Sequence, residues 1–258
     1  MRWNNSAMRL LLSVSTFCFA CLLMIAQSPP SAPQGTTGTA TQPTAPSPSA
    51  PANPVPAEKP LLILIDAAHG GTDAGALLTP TAVEKDITLN VARRLKQELN
   101  TRGIQVQLLR DGDWTLSADQ RATTANTGDA ALYISVHASS LGSGIRLFTA
   151  MLPSGGDNSG PFLDWDTAQA AALERSKAIQ AQLVLAIQQT RFPVRALMAP
   201  LRPLNNIKSP AIAIEISPTT GDAAQVASTG YQQMICSAVG NALASLAQSL
   251  RTNTGSRP

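Results

Sequence analysis

Between Pro60 and Leu250 short apolar runs alternate with stretches of helical period, the pattern of an α/β sheet with crossover helices. Residues 61–65 are five consecutive apolar positions, short enough for a buried strand and ended by turn residues. Asp86 is placed to cap a helix in which Ile87, Val91, Leu95 and Leu99 recur four apart, and Gly103 stands where a C-terminal glycine belongs. The pattern then predicts a strand over 104–109, a short helix over 116–126, and strands over 131–137 and 145–151. A glycine-rich loop at 154–160 leads to a long helix over 165–189, with Ile179, Leu183 and Ile187 on one face. A strand over 211–216 and a closing helix over 225–250 complete the order, with no internal repeat.

The N-terminal quarter follows a different pattern. Residues 1–9 carry two arginines and no acid, and residues 10–26 are predominantly apolar, so residues 1–27 read as a signal peptide or a retained signal anchor. Residues 28–59 are dominated by Pro, Ala, Ser and Thr, a composition that cannot bury a core and serves as a disordered linker. The expected layout is therefore leader 1–27, linker 28–59, one catalytic domain at 60–250 and a flexible tail at 251–258. A chain of 258 residues leaves no room for a second domain of similar size.

Charge excludes one class of partner. The net charge of +3 depends on Arg2 and Arg9 in the leader; without them 17 basic residues face 16 acidic ones. No basic stripe and no basic–aromatic alternation remain for nucleic acid. Cys18 and Cys21 lie in the leader, which leaves Cys236, in an apolar helical pattern, as a small hydrophobe.

The chain has two histidines, His69 and His137, both at the C-terminal ends of predicted strands, where ligands bind in open α/β sheets. Glu84 completes a set of two imidazoles and a carboxylate, the donors of a catalytic zinc site that keeps one position open. Glu215 is alone in the apolar run 211–216, where an unpaired carboxylate is costly. It is either salt-bridged to Arg202 or Lys208, or a general base facing the attacking water. Asp66 and Asp73 flank His69 and are candidates to orient the imidazoles.

These residues sit within motifs. IDAAHGGTDAGA, then Glu84-Lys85-Asp86 opening a helix, then SADQRATTAN, YISVHAS and PAIAIEIS resemble the zinc-dependent N-acetylmuramoyl-L-alanine amidases of the amidase type 3 family. Residues 109–113 are similar to that family's threonine-arginine-x-x-aspartate turn, and Tyr231 falls where its last helix often carries a tyrosine. The resemblance covers roughly 60–250. It implies a single α/β domain with a mixed, mostly parallel sheet flanked by helices on both faces. It implies His69, Glu84 and His137 as ligands of Zn2+ and Glu215 as catalytic acid/base. It also implies peptidoglycan as substrate, cut at the amide between the lactyl group of N-acetylmuramic acid and L-alanine, in cell-wall turnover or daughter-cell separation.

Such a protein is expected to be exported to the periplasm or cell envelope, touching the membrane only if the leader is retained, with any protein activator unidentified. Two other readings stay open: a catalytically weak peptidoglycan-binding module, and a zinc peptidase cleaving another cell-wall amide. The chain departs from the family pattern at Ala67-Ala68, where Pro-Gly is usual, at Ser139, where Asn is usual, and at 216–219. Residues 155–172, including Trp165, are either a lid or autoinhibitory element near the site or a surface insertion.

Overall fold

The computed structural model describes residues 60–152 and 165–252. The leader, the linker, the loop at 154–160 and residues 253–258 lie outside them. The described residues form strands β1 (Leu62–Ala67), β2 (Leu77–Thr79), β3 (Ala82–Val83), β4 (Gln105–Leu108), β5 (Leu132–Ala138), β6 (Gly144–Ala150), β7 (Val194–Ala199) and β8 (Ala211–Ser217). The helices are α1 (Glu84–Asn100), α2 (Ala118–Thr127), α3 (Leu173–Gln188) and α4 (Thr229–Thr252).

Six strands make one sheet in the order β4-β1-β5-β8-β6-β7, and β2 and β3 pair separately as a small hairpin. All neighbours in the large sheet are parallel except β6 against β8. The sheet is therefore mixed and mostly parallel, as expected. Side chains alternate faces along each strand. Ile63, Ile65, Ile134, Val136, Ile212, Ile214 and Ile216 fall in one buried layer with residues of α1, α3 and α4. Leu64, Tyr133, Ala211 and Ala213 fall in a second layer, with Ala122 and Ala125 of α2 and with Leu204 and Ile207. Helices thus cover both faces, and the central strands read as unbroken apolar runs because neither face meets water.

Several element boundaries differ from expectation. Helix α1 begins at Glu84: Val83 is its extended N-cap, and Asp86 sits inside the first turn, where its charge favours the helix N-terminus. Ser117 caps α2 through a reciprocal capping box with Gln120. Residues 165–189 are not one helix, because Trp165–Ala172 winds as a 3-10 segment before α3. The closing helix likewise follows a 3-10 turn at Ala223–Ala227 and reaches Thr252, into the stretch read as tail. Strand β7 and the β2–β3 hairpin have no counterpart in the sequence pattern.

Candidate metal centre

Strand β1 continues as ladder through Asp66 and Ala67, two residues beyond its apolar run. With alanine at 67 and 68 the chain stays extended, and the Ala68 amide donates to the Val136 carbonyl at 3.1 Å. The turn then falls on His69 itself, at φ +62, a left-handed conformation uncommon outside glycine. Two buried arginines hold this strained end. Arg110 donates to the carbonyls of Ala67 (2.8 Å), Ala68 (3.0 Å) and Lys85 (2.8 Å), joining the loop to the start of α1. Arg121 donates to the His69 carbonyl at 2.6 Å and is ion-paired with Asp66.

Asp66 therefore does not orient an imidazole. It is fully buried and occupied by Arg121 and by the Tyr133 hydroxyl, which donates to it at 2.6 Å. Asp73 takes the orienting role: its Oδ2 lies 2.9 Å from His69 Nδ1. A carboxylate oxygen only accepts, so Nδ1 carries the proton.

The loop leaving His69 returns through the hairpin to Glu84, whose backbone amide donates to the Ala76 carbonyl at 2.8 Å. Glu84 is buried, and its Oε2 accepts from the Ala76 amide at 3.1 Å and its Oε1 from the Ala138 amide at 3.2 Å. His69 Nε2 stands 3.1 Å from Glu84 Oε2, and His137 Nδ1 stands 3.1 Å from Glu84 Oε1. Three segments far apart in the chain thus bring ligating atoms of His69, Glu84 and His137 within 4.8 Å of one another. The rings of His69 and His137 meet edge to face with centroids 5.7 Å apart. Gly75, at φ +67, leaves the room: a Cβ there would lie 2.7 Å from His69 Cδ2 and 2.8 Å from Glu84 Cβ.

The electrostatics fit a cation. A neutral His69 spends its one N–H on Asp73, so its Nε2 lone pair faces the lone pairs of Glu84, a repulsive contact that a metal ion or a second proton relieves. The hydrogen bond to Glu84 raises the His69 pKa, against burial and with help from Asp73, so this imidazole holds a second proton more firmly than a free one does. Burial pushes the Glu84 carboxyl up, but hydrogen bonds from His137 and His69 outweigh it and hold the group far below the usual carboxylate range.

Glu215 pairs in register with His137 on one side and with Arg146 of β6 on the other. Its salt-bridge partner is Arg146, not Arg202 or Lys208; Arg202 instead pairs with Asp166 at 2.6 Å. Burial raises the Glu215 pKa, and the Arg146 and His137 charges pull the other way. The complementary signal was present in the sequence: Arg146 is a lone cation in the strand GIRLFTA, as Glu215 is a lone anion in AIAIEIS.

A cleft of about 140 Å³ opens over His69 and His137, bordered by Asp73, Leu116, Arg121 and Arg202. A larger hollow of about 320 Å³ beside Met151, Pro200 and Asn205 shares Arg202 with it, but His69, Glu84, His137 and Glu215 do not line it. Trp165 stands near this side, its indole N–H donating to Asp119 at 3.2 Å.

Residues 63–245 match the family model described as N-acetylmuramoyl-L-alanine amidase. The chain belongs to that amidase family. N-acetylmuramoyl-L-alanine amidase AmiC of Escherichia coli O6:H1 is 33% identical over 99 residues, which are 38% of this chain and 22% of that protein. N-acetylmuramoyl-L-alanine amidase LytC of Bacillus subtilis is 36% identical over 86 residues, 33% of this chain and 16% of that protein. The aligned stretches thus span less than a quarter of either relative. Among solved structures, the catalytic domain of the amidase CwlV from Paenibacillus polymyxa superposes with a TM-score of 0.56 at 21% identity, covering 71% of this chain and 96% of that one. An N-acetylmuramoyl-L-alanine amidase from Clostridium difficile 630 gives 0.55 at 24% identity, covering 74% and 98%. At that level of identity the superpositions establish the amidase fold.

Proposed function

We propose that this chain hydrolyses the amide between the lactyl group of N-acetylmuramic acid and L-alanine in peptidoglycan, with zinc held by His69, Glu84 and His137 and with Glu215 as acid/base. The observation that carries the reading is the convergence of those three ligating groups beside a second carboxylate, Glu215, in register with His137. Two imidazoles and one carboxylate are the donor set of hydrolytic zinc sites that leave a position free for water or substrate. Zinc held there would acidify water at the open position and polarise the amide carbonyl.

The chain's own residues do the rest. Asp73 fixes the His69 tautomer, so that Nε2 offers its lone pair inward. The Ala76 and Ala138 amides anchor both oxygens of Glu84. Glu215 takes the proton of the attacking water and returns it to the departing L-alanine nitrogen, because an amine leaves poorly unless protonated. A carboxyl group whose pKa burial raises is suited to holding that proton between the two steps.

The domain at 60–250, the exported leader at 1–27, the tether at 28–59 and a role in wall turnover or cell separation belong to the same proposal. Export follows from the leader's composition; among the described residues no helix is long and apolar enough to cross a membrane. Incubating the purified protein with muropeptides and weighing the products tests the reaction. Free stem peptides beginning at L-alanine are expected. Cleavage between two amino acids would establish a peptidase, and bound but intact muropeptide a wall-binding module.

A further inference from the structure

We infer that Arg146 is a positioning residue for Glu215, clamping one carboxylate oxygen so that the other faces the reaction centre; the inference rests on the amidase reading above. His137, Glu215 and Arg146 form one row across β5, β8 and β6. Directly opposed residues share a sheet face. Their apolar neighbours Val136, Ile214, Ile216, Ile145 and Leu147 all fall in the opposite buried layer, so the row lies on the face of Tyr133 and α2. The order in the row puts Glu215 between the imidazole and the guanidinium.

Arg146 is built into this place. Its Nη2 donates to the Leu141 carbonyl at 3.0 Å and to Ser217 Oγ at 3.3 Å while lying against Glu215 Oε1. Gly142, at φ +117, makes room: a Cβ there would stand 3.1 Å from Arg146 Cζ. The loop between β5 and β6 therefore wraps the guanidinium from the outside. A carboxylate has two oxygens, and a cation on Oε1 leaves Oε2 for a water proton. Without the clamp, a glutamate on three rotatable bonds samples several directions, and a base must sit within hydrogen-bond reach of the proton it takes.

The cost of losing the clamp is a fraction of what the base supplies. Positioned general bases contribute about 10²–10⁴-fold, and misplacement by about 1 Å costs on the order of 10²-fold. In zinc-loaded protein, Arg146→Gln is expected to lower kcat on muropeptides by about 10- to 100-fold, with KM and bound zinc unchanged. Arg146→Lys, which keeps the charge, recovers part of the loss. The Arg146→Gln, Glu215→Gln double variant is no slower than Glu215→Gln alone, because the clamp acts through the residue already removed.

An unchanged kcat in Arg146→Gln overturns the assignment, as does a raised KM with kcat intact, which would make Arg146 a substrate contact. A faster variant overturns it too, since Arg146 would then mask the base. Wild-type protein that leaves muropeptides intact fails the amidase reading instead. In that event crystals of zinc-loaded Arg146→Gln still decide: a Glu215 carboxylate turned away from His137 supports the clamp, and an unmoved one refutes it.

Discussion

Replacing Gly75 by alanine perturbs the proposed centre without touching a ligand. The new Cβ would lie 2.7 and 2.8 Å from two His69 ring atoms and 2.8 Å from Glu84 Cβ. Relaxed carbon contacts need roughly 3.5–4.0 Å, so His69 and Glu84 must separate by about 1 Å. The backbone adds its own cost, since φ is +67 and a left-handed alanine is disfavoured by roughly 1–2 kcal/mol. Overpacking adds about 1–3 kcal/mol, for an expected destabilisation near 2–5 kcal/mol in total. Zinc affinity should fall by about 10- to 100-fold, the range seen when ligand orientation is disturbed. Urea unfolding of chelator-treated protein reads the first quantity, and zinc competition against a chromophoric chelator the second. A variant matching the parent in both would refute the claim that Gly75 sits between two ligands of one ion.

Glu215→Gln should keep its zinc while losing about 10²–10⁴-fold in turnover; metal loss in that variant, measured by elemental analysis, would make Glu215 structural. Asp73→Asn replaces the acceptor on His69 Nδ1 and is expected to weaken zinc binding by about 10- to 100-fold, read by the same competition assay. Arg121→Met leaves Asp66 charged and buried beside one remaining hydroxyl, and should cost about 3–5 kcal/mol in chemical denaturation. In metal-free protein the Glu84 hydrogen bond raises the His69 pKa above 6.5, so protonation of this imidazole stabilises the fold. That contribution is complete below 6.5 and disappears as pH rises through the raised folded value; a urea midpoint that instead climbs over that interval would contradict it.

The parts of the molecule legible in the sequence are those where one position decides. Strands β1, β5 and β8 are continuous apolar runs because both faces are covered, and in such runs His137 and Glu215 stand out as exceptions. His69 and Glu84 were legible as donor types, although their meeting depends on the β2–β3 hairpin, whose strands of three and two residues are too short for any period. Strand β7 leaves no apolar signal in the sequence because it is an edge strand with exposed Arg195, Ala196, Leu197 and Met198. Asp86 reads as a cap by type, but the extended Val83 at the hairpin's end starts the helix earlier. The Arg146–Glu215 pair is a cross-strand contact between segments with an antiparallel register inside a mostly parallel sheet; each strand shows its lone charge, but neither shows which strand lies beside it. Arg202 and Lys208 lie near Glu215 in the sequence, but the sheet order brings Arg146 against it and leaves Arg202 to Asp166.

The central claim is that His69, Glu84 and His137 together hold one zinc ion. Anomalous X-ray scattering at the zinc edge, from crystals of protein loaded with one equivalent of zinc, tests it directly. The account predicts a single strong peak within bonding distance of all three side chains, lost in His137→Ala. A peak elsewhere, or one that survives that substitution, would contradict it.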